Sequence, residues 1–224
     1  MTQVSERNPP ACARFIAIEG PIGVGKTSLA RRLAATYGTD LLLEDAAGNP
    51  FLPKFYEDPA RHALATQLHF LFNRSRALQG RRQGDLFSPR VVSDFLFAKD
   101  RLFARVVLEA DEYALYEDIY RRFVEQLPQP ALVIYLQAPV PTLLRRIARR
   151  GIGYERGIES AYLERLCEEY VHFFHFYDDA PLLIVNAEAM NLVEDERHYA
   201  LLLEEIERGV TGRRYFNPDP ARLA

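Results

Sequence analysis

A run of glycines followed by lysine and threonine is the most chemically specific feature of the sequence. Residues 20–27 match the pattern G-x-x-x-x-G-K-[ST] at every required position, between a short apolar run and a helical pattern. Glycines allow backbone N–H groups to surround phosphate oxygens, and the N-terminus of the following helix adds a partial positive charge. The run therefore predicts a site for the phosphates of a nucleotide.

Side chains in this run also have expected roles. Lys26 is expected to reach the outer phosphates, and the Thr27 hydroxyl is expected to bind Mg²⁺. A glycine-rich turn without a ligand is the alternative, and the complete match of motif and context disfavours it. The residues predicted to hold the nucleotide are Gly20, Gly23, Gly25, Lys26, Thr27 and Ser28.

Two carboxylates follow short apolar runs, where strands of a parallel sheet are expected to end. Glu44 follows residues 41–43, and Asp94 follows residues 91–93. Ligands of such sheets bind outside the carboxyl ends of the strands, so both acids are expected beside the glycines. Phosphoryl transfer to an alcohol needs one group to deprotonate the hydroxyl and another to hold the metal. Capping of the next helix is the alternative role for each acid.

Four arginines lie near the end of a predicted helix that stops at Gly151; they are Arg145, Arg146, Arg149 and Arg150. Arg146 and Arg150 are four residues apart and share one helix face. Next to a glycine-hinged loop, they predict a lid that closes on phosphates and balances charge in the transition state. A solvated helix end with basic residues near its C-terminus is the alternative.

The elements that must position these residues alternate between short apolar runs and helical patterns. Continuously apolar strands separated by helices are typical of a parallel sheet with helices on both faces. The sequence therefore predicts one α/β domain with the P-loop NTPase fold, a five-stranded parallel sheet and an arginine-bearing lid. The predicted parts are an N-terminal tail (1–12), the domain (13–208) and a C-terminal tail (209–224); the five apolar runs lie at 14–19, 41–44, 91–94, 131–136 and 181–185.

Composition restricts the class of protein. The 224 residues carry a net charge of −3, and a chain with no basic excess is not expected to bind nucleic acid. Apolar runs are too short to cross a membrane, and the first ten residues contain no apolar signal core, so a cytoplasmic protein is expected. Cys12 and Cys167 are expected to be reduced. The absence of an N-K-x-D motif disfavours a GTPase, and a small-molecule kinase fits this length best.

Together these motifs resemble the deoxynucleoside kinase family, which includes deoxyadenosine, deoxyguanosine and deoxycytidine kinases. The resemblance covers about residues 15–185, and the segment 49–56 (Asn-Pro-Phe-Leu-Pro-Lys-Phe-Tyr) is especially similar to bacterial deoxyguanosine and deoxyadenosine kinases. It implies ATP as donor, the 5′-hydroxyl of a deoxynucleoside as acceptor, a role in nucleoside salvage, and a homodimer built through helices.

The resemblance also implies roles for single residues. Glu44 is expected to accept the proton of the 5′-hydroxyl, Tyr56 with Glu155 to hold the 3′-hydroxyl, and Asp94 to bind Mg²⁺. Lys26, Arg146 and Arg150 are the expected catalytic cations. The residues implied for the base are Gln67, Arg74 and Asp100, which favour a purine, with deoxycytidine next.

Each of these residues also has an ordinary alternative. Tyr56 is a candidate for core packing, Asp100 for a plain helix acid, and Glu155 for a solvated loop charge. Gln67 and Arg74 have the solvent side of their helix as the alternative.

The sequence departs from the family pattern at two positions. Phe95 follows Asp94 where many members have arginine, and Lys99 is the candidate substitute for that arginine. Ile152 stands where many lids carry another arginine. Three alternatives therefore stay open: a deoxycytidine or broad-specificity kinase, a nucleoside monophosphate kinase, and a nucleotide-binding regulatory module with impaired catalysis.

Overall fold

Six parallel strands form a single sheet in a computed structural model of the chain, which describes residues 14–82, 90–188 and 190–217. Along the chain they are β1 (Phe15–Glu19), β2 (Asp40–Leu42), β3 (Val91–Ser93), β4 (Leu132–Gln137), β5 (Leu182–Asn186) and β6 (Arg213–Phe216). Their spatial order is β2-β3-β1-β4-β5-β6, and every neighbouring pair runs parallel. The predicted α/β class with a parallel sheet is confirmed.

Helices connect the strands and cover the sheet. They are α1 (Lys26–Tyr37), α2 (Leu52–Glu57), α3 (Pro59–Arg82), α4 (Lys99–Val107), α5 (Ala110–Val124), α6 (Val140–Arg150), α7 (Ser160–Phe176) and α8 (Glu196–Glu207), with a 3-10 turn at Gly153–Gly157. Every residue of β1 is buried, as expected for a central strand packed on both faces. Within the described ranges, every helix is too short or too polar to cross a bilayer.

The predicted number of five strands is wrong. The sixth strand, β6, pairs with β5 within the segment expected to be a C-terminal tail, and Phe216 is its one buried residue. Arg213, Arg214 and Tyr215 are exposed, so this edge strand lacks the apolar run by which the other strands were predicted. The short helix α2 was also not predicted, because six residues are too few to show a helical period.

Residues with predicted chemical roles lie at the carboxyl edge of the sheet. β1 ends at Glu19, and residues 20–25 form a glycine-rich loop that leads into α1. Gly20 has φ of 149°, and a Cβ there would collide with the carbonyl oxygen of Leu136 in β4. The loop therefore lies against the sheet in a conformation that only glycine permits.

One of the two cysteines lies within the described residues. Cys167 is a free, half-buried thiol on α7, and burial raises its pKa. Cys12 lies outside the residues that the structure describes.

Candidate active site

A cavity of about 780 Å³ opens at the carboxyl edge of the sheet. Its wall includes every residue predicted for the site except Gly20 and Asp100; those present are Gly23, Gly25, Lys26, Thr27, Ser28, Glu44, Tyr56, Gln67, Arg74, Asp94, Arg146, Arg150 and Glu155. Residues from the glycine-rich loop to α7, more than a hundred positions apart, thus surround one space large enough for small ligands.

The glycine-rich loop forms one end of the cavity. The Lys26 ammonium folds back on this loop and donates to the carbonyl oxygens of Gly20 at 2.6 Å and Pro21 at 3.2 Å. Burial, and then the nearby ammonium of Lys99, lower the pKa of Lys26 to about 8. An anion such as a phosphate group bound at the glycine-rich loop would therefore favour the protonated form of Lys26.

Thr27 and Asp94 form an oxygen pair below the loop. The Thr27 hydroxyl donates to Oδ2 of Asp94 at 2.5 Å, and the other carboxylate oxygen accepts the backbone N–H of Glu44 at 2.7 Å. Burial raises the pKa of Asp94, and the hydrogen bond from Thr27 opposes that change. One carboxylate and one hydroxyl fit Mg²⁺, which is usually held by few protein ligands together with substrate phosphates and water. In the parts of the chain described, no cluster of three or more His, Cys, Asp or Glu side chains offers another metal site.

Glu44 lies two residues beyond β2, between two cations. Nε of Arg74 donates to its Oε1 at 2.5 Å, and Nη2 of Arg74 also contacts that oxygen. The Lys99 ammonium is 3.2 Å from Oε1. Burial alone would raise the pKa of Glu44, but Arg74, Lys99 and Lys26 together lower it to about 2. Glu44 is therefore an ionised acceptor at neutral pH.

The long helix α3 supplies one wall of the cavity. Gln67 and Arg74 are buried on the face that lines it, so the solvent-side alternative for both residues is wrong. The Arg74 guanidinium lies 4.7 Å from the ring centre of Phe70 and is ion-paired with Asp100. Asp100 is fully buried behind Arg74 and lines no part of the cavity. Asp100 can therefore influence a ligand in the cavity only through Arg74, with which it is ion-paired.

α2 and the 3-10 turn build an aromatic part of the cavity wall. The rings of Tyr56 and Tyr154 are stacked with centres 6.1 Å apart and an interplanar angle of 8°. Glu155 is buried, and both its carboxylate oxygens accept from Arg150, one of them from Nε at 3.1 Å. Burial and the neighbouring Tyr162 raise the pKa of Tyr56 well above its usual value, so its hydroxyl stays protonated.

The two arginines predicted for a lid have different partners. Arg146 donates to the carbonyl oxygen of Val24 in the glycine-rich loop at 3.1 Å, and to that of Ala187 after β5 at 2.8 Å. It thus ties α6 to the glycine-rich loop and to the segment after β5. Arg150 is instead paired with Glu155, as described above.

The two residues that depart from the family pattern, Phe95 and Ile152, both lie outside the cavity wall. Phe95 is buried in the core, outside the cavity wall, whereas the Lys99 side chain is part of that wall. The position that carries phenylalanine therefore presents nothing to a ligand, and the nearest cation from this segment is Lys99. Ile152 also lies outside the wall.

Sequence reasoning overlooked Glu19 and Tyr154. Glu19 ends β1 just as Asp94 follows β3, so the same strand-end rule would have found it. Tyr154 gave no signal, because its contact with Tyr56 joins residues about a hundred positions apart.

Comparisons with known proteins agree with this geometry. Residues 16–211 match the sequence profile described as deoxynucleoside kinase. The chain belongs to the deoxynucleoside kinase family. Its relatives include the deoxyguanosine kinase of Bacillus subtilis, which is 38% identical over 159 residues that cover 70% of this chain and 77% of that protein. The deoxyadenosine kinase of Lactobacillus acidophilus is 28% identical over 208 residues, covering 87% and 95%.

Solved structures give the same result for this deoxynucleoside kinase. The deoxyadenosine kinase from M. mycoides, with the products dCMP and dCDP bound, has a TM-score of 0.76 and 25% sequence identity. That match covers 87% of this chain and 99% of the M. mycoides chain. Since the family is shown and its named relatives are kinases, this chain is an ATP-dependent phosphotransferase.

Proposed function

We propose that the enzyme transfers the γ-phosphoryl group of ATP to the 5′-hydroxyl of a purine deoxynucleoside, as a step of nucleotide salvage. The observation that carries the proposal is Glu44, an ionised carboxylate on the cavity wall between the glycine-rich loop and Arg74 of α3. A base in this position serves a hydroxyl that lies between a nucleobase and a triphosphate.

The acceptor side is proposed to use α3 and the aromatic wall. Gln67 offers an amide donor and an amide acceptor, which suits the edge of a nucleobase, and Arg74 adds a cation held by Asp100. Tyr56 and Glu155 bind the 3′-hydroxyl in this proposal. The names of the relatives, deoxyguanosine kinase and deoxyadenosine kinase, support a purine as the preferred base.

The donor side is proposed to use residues 20–28 as a phosphate-binding P-loop. Lys26, now bound to backbone oxygens of its own loop, would turn to the outer phosphates. Thr27 and Asp94 would hold Mg²⁺, which neutralises charge on the β- and γ-phosphates when bound. Arg146 and Arg150 are the proposed lid arginines, with Arg146 already tied to the loop.

The chemistry follows from this arrangement. The 5′-oxygen attacks the γ-phosphorus, and its proton passes to the Glu44 carboxylate. A new O–P bond forms, the bond from γ-phosphorus to the bridging oxygen breaks, and ADP leaves with that electron pair. The ammonium of Lys99, 3.2 Å from Glu44, is the proposed substitute for the arginine missing at Phe95, and it balances charge on the moving phosphoryl group.

The remaining features of the proposal concern the whole protein. The catalytic domain comprises residues 13–208, with β6 added at the edge of its sheet, and the enzyme works in the cytoplasm as a homodimer. The dimer is supported by exposed apolar residues on two helices that pack together, Phe72 on α3 and Leu115 on α5. A second function of another class has no specific observation in its favour.

The decisive assay is ADP release with ATP and Mg²⁺ against the four deoxynucleosides, adenosine and the deoxynucleoside monophosphates. We expect the highest kcat/KM with deoxyguanosine or deoxyadenosine. Glu44→Gln should lower kcat by roughly 10²- to 10⁴-fold while ATP still binds, because the proton acceptor is removed and the glycine-rich loop is left intact. Turnover restricted to monophosphates, or ATP binding without turnover on any acceptor, would contradict the proposal.

A further inference from the structure

Glu19 is a buried carboxylate for which the proposed reaction has no role. It ends β1, is fully buried, and lies behind the cavity wall, not in it. An ionised carboxylate in such a place is costly unless several groups bind it. Its partners therefore indicate what it does.

Three neutral donors fix the Glu19 carboxylate. Oε1 accepts the backbone N–H of Gly20 at 2.8 Å and the hydroxyl of Tyr170 at 2.8 Å. Oε2 accepts the backbone N–H of Leu96 at 2.8 Å. These donors come from the glycine-rich loop, α7 and the turn after β3, so the carboxylate has little freedom to move.

The fourth partner is the charged one. The Lys99 ammonium lies 3.6 Å from Oε2 of Glu19 and 3.2 Å from Oε1 of Glu44. Its side chain is almost completely buried, with the ammonium 5.6 Å from the ring centre of Phe103. Lysine has a long flexible stem, so a cation at a defined point needs a fixed counter-charge.

We propose that Glu19 is a positioning residue for phosphoryl transfer, and that it acts by holding the Lys99 ammonium at the cavity wall beside Glu44. Gly20, Leu96 and Tyr170 fix the carboxylate, and the carboxylate fixes the cation. Without Glu19, the Lys99 ammonium loses one of its two carboxylate partners and is no longer held at a fixed point beside Glu44. The inference rests on the proposed function, in which Lys99 balances the charge of the moving phosphoryl group.

The primary test is Glu19→Gln, which keeps the size of the side chain but removes the charge. We expect kcat to fall roughly 10- to 100-fold, as for a misplaced catalytic group, with KM for ATP and for the deoxynucleoside changed less than about 3-fold. The matched control is Glu117→Gln, because Glu117 is also a buried acid with arginine partners, but it lies on α5 outside the cavity. The control should leave kcat unchanged.

A double variant separates positioning from a merely structural role. Lys99→Met alone should lower kcat strongly, roughly 100-fold. If Glu19 acts through Lys99, the variant Glu19→Gln/Lys99→Met loses no more than about 3-fold beyond Lys99→Met. Multiplied losses in the double variant would overturn the proposal, because Glu19 would then act on something else.

A milder substitution covers the case in which Glu19→Gln does not fold. Tyr170→Phe removes one of the three donors that fix the carboxylate, and should lower kcat roughly 3- to 10-fold with both KM values unchanged. The control is Tyr177→Phe at the end of α7, since the buried hydroxyl of Tyr177 has no hydrogen-bond partner among the described residues. Equal kcat for the two variants would overturn the proposal.

Turnover by the wild-type enzyme shows whether a negative result contradicts the proposed function or only the role of Glu19. Absence of turnover with every nucleoside overturns the proposed function, and the role of Glu19 with it. Normal wild-type turnover that Glu19→Gln leaves unchanged overturns only the role of Glu19.

Discussion

At the scale of single residues, three carboxylates at the carboxyl edge of the sheet differ through their partners. Glu19 is bound by three neutral donors and one ammonium, Glu44 by two cations, and Asp94 by a hydroxyl and a backbone N–H. Only Glu44 and Asp94 reach the cavity. These different environments support the three proposed roles, which are proton acceptor for Glu44, metal ligand for Asp94 and positioning residue for Glu19.

The lowered pKa of Lys26 predicts that the protein takes up protons when it binds ATP. Burial and Lys99 lower its pKa to about 8 in the unliganded protein, so at pH 8.5 most of these lysines are neutral. Phosphates favour the ammonium form and raise the pKa again. Binding of ATP at pH 8.5 should therefore take up as much as roughly 0.7 proton per site, and the affinity for ATP should fall as pH rises above 8. Calorimetric titration in buffers of different ionisation enthalpy measures this uptake.

The control for this prediction is Lys26→Arg, because arginine stays charged throughout this pH range. Whatever its affinity for ATP, this variant should bind ATP without proton uptake. Uptake of equal size in the wild type and in Lys26→Arg would show that another group titrates.

At the scale of elements, α2 and the 3-10 turn are joined within one wall of the cavity. The Tyr56–Tyr154 stack links their side chains, and the pair of Arg150 with Glu155 closes the turn onto the end of α6. A segment with these contacts is held close to the proposed sugar site. The turn is therefore in direct contact with Tyr56, the residue proposed to bind the 3′-hydroxyl.

The stack gives the second prediction. Tyr154→Ala should raise KM for the deoxynucleoside roughly 3- to 10-fold, since an aromatic pair contributes about 0.5–1.5 kcal/mol beyond simple burial. The KM for ATP should change less, because Tyr154 faces Tyr56 and not the glycine-rich loop. Steady-state kinetics with each substrate varied in turn measures both values. Tyr215→Ala, a substitution of an exposed tyrosine on β6, should alter neither KM.

The elements also show how far the sequence determines the fold. Apolar strands such as β1 and β4, and the glycine motif between β1 and α1, are local patterns and were predicted. β6 was not, because an exposed four-residue edge strand has no such pattern.

The candidate site also has parts that local sequence patterns predicted and parts that they did not. Strand-end logic predicted that Glu44 and Asp94 would lie together, and the Glu44 N–H does bond Asp94. Contacts between distant segments, such as Lys99 with Glu19 or Tyr170 with Glu19, depend on the finished packing. The position of Asp100 behind Arg74, with which it is ion-paired, was likewise visible only in the structure.

At the scale of the whole molecule, α3 presents different residues to different surroundings. Gln67 and Arg74 face the cavity, whereas the Phe72 side chain between them is 43% exposed. The ring of Phe72 contacts that of Phe123 on α5, and Leu115 of α5 is 54% exposed. These exposed apolar residues on two packed helices are the face proposed here for the homodimer.

This face gives the last prediction. Phe72→Glu should weaken self-association about 100-fold or more, because a charge buried in an apolar interface without a partner costs several kcal/mol. Sedimentation velocity across protein concentration should then show a monomer where the wild type is a dimer. Phe176→Glu is the matched control, since Phe176 is more exposed still, at 68%, but lies on α7. A dimer that Phe72→Glu leaves intact and Phe176→Glu dissociates would move the interface to α7.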